Sequence, residues 1–243
     1  MSAANLISSN DAVHLLADGA LYDRRGIIRS IGSKIHVRPD LRMAFGWAGW
    51  GNHNVTVGRA LAKVGDPEIA LAMMPGLLRK ACGSNRRQLG YDEPTRFLIA
   101  CWGKDGAQAW VVTSGGHACG LEPFKLTRVR NWIDMDPALV AETLGRDIKR
   151  CGDGFDPWRD GLRLIEAQRK HPFEDGSYAV GGFAEIASVT SEGVKRRTLI
   201  EWPDAIGFPI DLTATTRPNV IARLGGHLRT LGWLANGAAG RAS

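Results

Sequence analysis

Hydrophobic positions recur along the chain with two periods, and the changes of period divide it into blocks. Residues 3–9 and 12–17 flank the tight-turn pair Asn10-Asp11, with Val13, Leu15 and Ala17 alternating against their neighbours, which predicts a β-hairpin. Residues 30–38 and 41–48 predict a second hairpin around Pro39-Asp40, because both segments are rich in β-branched, aromatic and apolar side chains. Helical spacing follows over 53–64 and 67–82, where apolar residues return every three or four positions. Asp66 is placed to cap the second of these helices, Pro67 to occupy its first turn, and Pro75 to kink or split it. Strand patterns return at 96–103 and 107–114 around Lys104-Asp105-Gly106, with a further strand across 119–129. Asp136-Pro137 and Asp156-Pro157 each open a helix, the first running to about residue 150 and the second to about residue 170. Strands at 178–190 and 194–202 then flank Ser191-Glu192-Gly193. Residues 218–234 carry a helical pattern weakened by Gly225-Gly226, and AANGAAGRAS reads as a frayed tail.

Helices that arrive in pairs between blocks of antiparallel strands must bury their apolar stripes on a sheet face. The expected class is therefore α+β, a four-layer αββα sandwich of two antiparallel sheets between helix pairs. No repeat and no Pro- or Ser-rich linker divides the 243 residues, so one domain is expected over 1–243, with its core at about 2–203 and a C-terminal extension over 204–243.

Composition narrows the chemistry. No run of eighteen apolar residues appears and the N-terminus lacks a secretory layout, so the expectation is a soluble cytoplasmic protein without membrane association. The four cysteines show no C-x-x-C and the six histidines no H-x-x-H, so neither a metal nor another cofactor is expected. His117 and Cys119 stand two apart on an expected strand, which more simply puts both on one face. The net charge of +6 is scattered, with short clusters only at Arg86-Arg87 and Lys195-Arg196-Arg197. That reads as a solvated basic surface, and nucleic acid is not an expected partner.

The opening run, SAANLISSNDAVHLLADGALYDRRGIIRSIGSKI, resembles the start of the N-terminal nucleophile hydrolases, and specifically the proteasome β-subunits and their bacterial relatives. In that family a Thr, Ser or Cys exposed at the mature N-terminus begins the first strand, an Ala-Asp pair closes the second, and a Lys-Ile pair sits in the third. Here these read Ser2, Ala17-Asp18 and Lys34-Ile35, with Asp18 sixteen and Lys34 thirty-two residues after Ser2, the family intervals once Met1 is removed. Ser8 and Ser9 do not fit, because either would shorten both intervals. RFLIACWGKDGAQAWVVTSGG resembles the family's L-I-A-G-x-D-x-x-G strand pair, and Gly181-Gly182 its late Gly-Gly strand. The resemblance covers roughly residues 2–200.

The chemistry of these residue types is independent of the family. A serine hydroxyl needs a base close by, and a freed Ser2 amine, ordinarily of pKa about 7.7–8.0, is a base tethered to its own nucleophile. Lys34 would favour the alkoxide-like oxygen, and Asp18 would hold that lysine charged and oriented. The resemblance implies catalytic roles for Ser2, Asp18 and Lys34, and an oxyanion donor from the backbone at Gly46-Trp47-Ala48-Gly49, with Gly49 the choice. It also implies a peptide or small amide substrate, assembly into a homo-oligomeric ring or dimer, and pocket residues along the second to fourth strands, of which Leu21, Gly32 and Phe45 are candidates. Ser114-Gly115 and Asp175 stand at altered spacing relative to the family's supporting residues, and no role is carried onto them. A retained Met1 would acylate the Ser2 amine and remove the base. A catalytically inactive structural or assembly subunit with the same fold is therefore the alternative reading.

Overall fold

The computed structural model describes residues 3–23, 25–49, 53–90, 94–115, 120–172, 176 and 178–213. In chain order the strands are β1 (Ala4–Ser8), β2 (Ala12–Asp18), β3 (Ala20–Tyr22), β4 (Ile28–Ile31), β5 (Ile35–Arg38), β6 (Met43–Ala48), β7 (Arg96–Gly103), β8 (Gly106–Thr113), β9 (Thr127–Val129), β10 (Asn131–Trp132), β11 (Phe183–Thr190) and β12 (Gly193–Glu201). The helices are α1 (Asn54–Leu61) and α2 (Pro67–Leu89) between β6 and β7, and α3 (Pro137–Leu144) and α4 (Arg159–Lys170) between β10 and β11. The described chain is thus mixed α+β with three antiparallel sheets. One has the order β10-β1-β2-β11-β12, a second β5-β6-β7-β8-β9, and a small third pairs β3 with β4.

The two large sheets share an apolar layer. Val13, Leu15 and Ala17 of β2 and Ala187 and Val189 of β11 pack with Ile35, Ala44, Leu98, Ala100, Ala109 and Val111 of the other sheet. The other face of the first sheet, including Ile7, Leu16 and Ile186, packs on Val140, Leu144, Leu164 and Ile165 of α3 and α4. The other face of the second, including Met43, Phe45, Phe97 and Ile99, packs on Val57, Leu61, Leu71, Met74 and Leu78 of α1 and α2. Strand β2 is consequently buried along its whole length, which is why Leu15, Leu16 and Ala17 run together without strict alternation.

Several boundaries differ from those the sequence predicts. The expected strand 30–38 is two strands, β4 in the small sheet and β5 in the second, and the chain breaks from one to the other at Gly32-Ser33-Lys34. Lys34 therefore immediately precedes a strand instead of lying inside one. Helix α2 is neither split nor stopped by Pro75 and continues seven residues past the expected end, to Gly90 in a left-handed conformation. Asp66 caps it as expected, accepting from the N–H groups of Glu68 and Ile69. Helix α3 stops early because Gly145 adopts a left-handed conformation, and a short 3-10 turn over Ile148–Arg150 follows. Helix α4 begins two residues later than expected, although Asp156 still accepts from Trp158 and Arg159 N–H. Of the strand expected over 119–129 only β9 forms among the described residues. Cys119, His117, Asp175, the helix expected over 218–234 and the tail lie outside them. Residues 204–213, assigned from sequence to the C-terminal extension, pack back onto the small sheet: Pro209 bridges Ile27, and Ile210 joins Ala20 and Ile28 in an apolar cluster.

Candidate active site

Asp18 is the last residue of β2, where the strand leaves its sheet, and Lys34 lies in the break between β4 and β5. The Lys34 Nζ stands 2.6 Å from the Asp18 Oδ1, and both side chains are essentially without solvent contact. The Asp18 Oδ2 accepts two backbone N–H groups, from Ala20 and Gly181, each at 3.2 Å. Burial pushes the Asp18 carboxyl up, against the pull of Lys34 and of the two backbone donors. Burial also lowers the Lys34 ammonium, with Asp18 and then Glu185 holding it up. These directions lean toward a neutral pair, whereas three donors converging on one carboxylate favour the ionised one. We assign the ion pair, because the two backbone N–H donors to Oδ2 and the Nζ beside Oδ1 each favour the charged carboxylate against its burial.

Glu185 of β11, which the sequence did not single out, fixes the lysine from behind. Its Oε1 accepts from the N–H groups of Lys34 (2.9 Å) and Ile35 (3.1 Å) and from the Ser33 hydroxyl (2.7 Å). Arg196 of β12 donates to the Ser33 hydroxyl and the Ile35 carbonyl and stands 4.0 Å from Glu185. The only signal of this role in the sequence was an acidic residue within the apolar run FAEIASV. The loop before β11 supports the site from the other side. Arg169 of α4 pairs with Asp204 at 2.8 Å, both buried, and donates to the Val180 carbonyl, while Asp204 accepts from Gly182 N–H at 2.7 Å. Residues 180–182 are thereby held between the Arg169–Asp204 pair and the carboxylate of Asp18.

Of the sequence-predicted site residues, Asp18 and Lys34 are brought together. Ser2 lies outside the described residues. Its neighbour Ala3 is buried, and the Ala3 carbonyl accepts from the Asp18 N–H at 3.3 Å. Gly49 follows the last residue of β6. Ile35 pairs with Gly46 across β5 and β6, so continuing that register puts Trp47 level with Lys34 and Gly49 two positions on, about 7 Å by strand rise. With φ of 123° and a hypothetical Cβ only 2.7 Å from the Pro94 carbonyl, position 49 requires glycine. Of the pocket candidates, Leu21 is half-buried in β3 and Gly32 faces open space, but Phe45 belongs to the helix-side core with Trp47 and Phe97 and does not line a pocket. Ser114 ties off the β7–β8 hairpin by accepting from Thr95 N–H and donating its own N–H to the Thr95 carbonyl.

Among the described residues no group of three or more His, Cys, Asp or Glu side chains could hold a metal ion, and no helix is long and apolar enough to cross a membrane. No family model matches the sequence, and no curated protein matches it significantly.

Proposed function

We propose that the protein is an N-terminal-serine hydrolase of peptide or other amide bonds, built on the four-layer αββα plan of the N-terminal nucleophile hydrolases and acting as a homo-oligomer. The observation that carries this reading is the buried Lys34–Asp18 ion pair at the open end of the first hairpin, with the Ala3 backbone hydrogen-bonded to Asp18. A solvent-free ion pair is a poor source of stability by itself, so its placement beside the Ala3 backbone favours a chemical role. Ser2 directly precedes Ala3 in the sequence, and the reading requires its hydroxyl and amine to meet this pair.

With Met1 removed, the Ser2 amine takes the hydroxyl proton as Oγ attacks the carbonyl carbon of the substrate. The Lys34 ammonium and the Gly49 N–H stabilise the resulting oxyanion, and Asp18 keeps Lys34 charged. The tetrahedral adduct collapses to a Ser2 ester when the protonated Ser2 amine delivers its proton to the departing amine. Water, deprotonated by the same amine, then adds to the ester, and the acid leaves as the Ser2 hydroxyl is restored.

The test combines intact-mass measurement with hydrolysis of fluorogenic peptide amides. The expected result is a chain lacking Met1 whose activity falls by at least about a thousandfold in Ser2→Ala and by about a hundredfold or more in Lys34→Ala. A preparation that hydrolyses these substrates with Met1 wholly retained overturns the mechanism. An unprocessed, inactive chain whose assembly and biological role survive Ser2→Ala would instead identify a structural subunit.

A further inference from the structure

A cavity of about 470 Å³ lies on the helix-facing side of the first sheet, at the other end of β2 from the ion pair. Its floor is a set of cross-strand neighbours. Ser188 of β11 stands opposite His14 of β2 on one side and Lys195 of β12 on the other, and Ile186 likewise stands between Leu16 and Arg197. Ile7, Leu16, Ile186 and Leu199 of this sheet face are covered by α3 and α4. Because α4 begins only at Arg159, the loop before it forms the cavity wall instead, with Gly152, Gly154, Phe155, Pro157 and Trp158.

Three kinds of group converge there. The His14 ring, 5% exposed, shares a 2.9 Å hydrogen bond with the Ser188 hydroxyl through Nδ1, and that is its one hydrogen bond among the described residues. Burial lowers its pKa to about 4, so the ring is neutral at pH 7 and its Nε2 is available to a ligand as a neutral donor or acceptor. Phe155 packs 5.3 Å from this ring, and Trp158, with 54% of its surface exposed, also lines the cavity, so two aromatic side chains contribute to its walls. On the β12 side Arg197 has neither ion pair nor hydrogen bond among the described residues, and the exposed Lys195 is only loosely placed, 3.7 Å from Glu192. Asp11, on the opposite rim, already accepts from the Ser9 hydroxyl, so the cavity is polarised with its cations on one side.

We infer that this cavity binds a small planar aromatic carboxylate, its ring between Phe155 and Trp158, its carboxylate on Arg197 and Lys195, and a polar edge against His14 and Ser188. The arrangement matches how ligand sites are generally built, from a mostly apolar concavity with a few convergent polar groups. Arginine beside an aromatic slot selects a planar acid over a neutral ring, because the guanidinium offers paired donors matched to a carboxylate. His14 and Asp18 share one face of β2 four residues apart, about 13 Å by strand rise, so this site is separate from the ion pair and does not rest on the hydrolase reading.

The test is calorimetric titration of the full-length protein with 2-naphthoate, together with NMR of histidine labelled with ¹³C. Saturable binding that shifts the His14 ring resonance is expected, weakened about tenfold in Arg197→Gln and about fivefold in Trp158→Ala, and about tenfold weaker for neutral 2-naphthylmethanol. Both variants alter exposed side chains, so the fold is retained. Absence of saturable binding up to about 5 mM, or an affinity that neither variant changes, overturns the assignment.

Discussion

Lys34 and Asp18 illustrate how unequal the two halves of a buried ion pair become when one is removed. Replacing Lys34 by Met leaves a carboxylate without solvent and with only two backbone donors, and should destabilise the fold by about 3–5 kcal/mol in urea denaturation. Combining Lys34→Met with Asp18→Leu should recover a large part of that loss, since a matched apolar pair carries no stranded charge. His14 gives a pH signature of the opposite end of the same strand. Its pKa falls from 6.5 unfolded to about 4 folded, so the unfolded chain binds the extra proton between those values. The stabilisation is complete above pH 6.5 and is lost as pH falls toward 4, by about 3 kcal/mol in total. A His14→Gln variant should show a visibly flatter stability profile across that window in thermal melts at stepped pH. At this scale the sequence disclosed Asp18 and Lys34 because their types and intervals form a pattern. Glu185 left none, since it acts by accepting backbone N–H groups some 150 residues away, an arrangement that only the fold creates.

Secondary elements were legible where local chemistry dictates them and obscure where tertiary contacts do. The turn pairs Asn10-Asp11 and Lys104-Asp105 lie between strands whose partners follow at once, so both hairpins could be read directly. The three-residue β3 and two-residue β10 exist because neighbouring strands offer edges, and segments that short carry no period. Gly32-Ser33-Lys34 looked like strand because its flanks are β-branched; Glu185 and Gly19 take its backbone donors instead. Helix α2 overrode the expected break at Pro75 because Ala70, Leu71, Met74, Leu78 and Ala81 bury one continuous stripe in the second sheet's core. The proline still removes a helical hydrogen bond. Pro75→Ala should therefore raise stability by about 1–3 kcal/mol. A measured loss would show that the ring's contacts outweigh the missing bond.

Across the whole molecule, the Arg169–Asp204 pair joins α4, the loop before β11 and the chain beyond β12. Arg169 also donates to the Asp211 carbonyl and stacks on Trp202 at 4.6 Å. A chain ended after residue 203 loses Asp204 together with Ile210 and leaves the Arg169 guanidinium buried without its carboxylate. It should melt well below the intact protein, by the equivalent of about 3–5 kcal/mol, and Asp204→Ala alone should reproduce much of that. Synthesis runs from the N-terminus, so Asp18 and Lys34 leave the ribosome well before Gly181, Glu185 and Asp204, whose hydrogen bonds and ion pair set their geometry. A half-made chain can hold the hairpin yet cannot lock the lysine in place, so the geometry of the Lys34–Asp18 pair is completed only after the segment from Gly181 to Asp204 has been made.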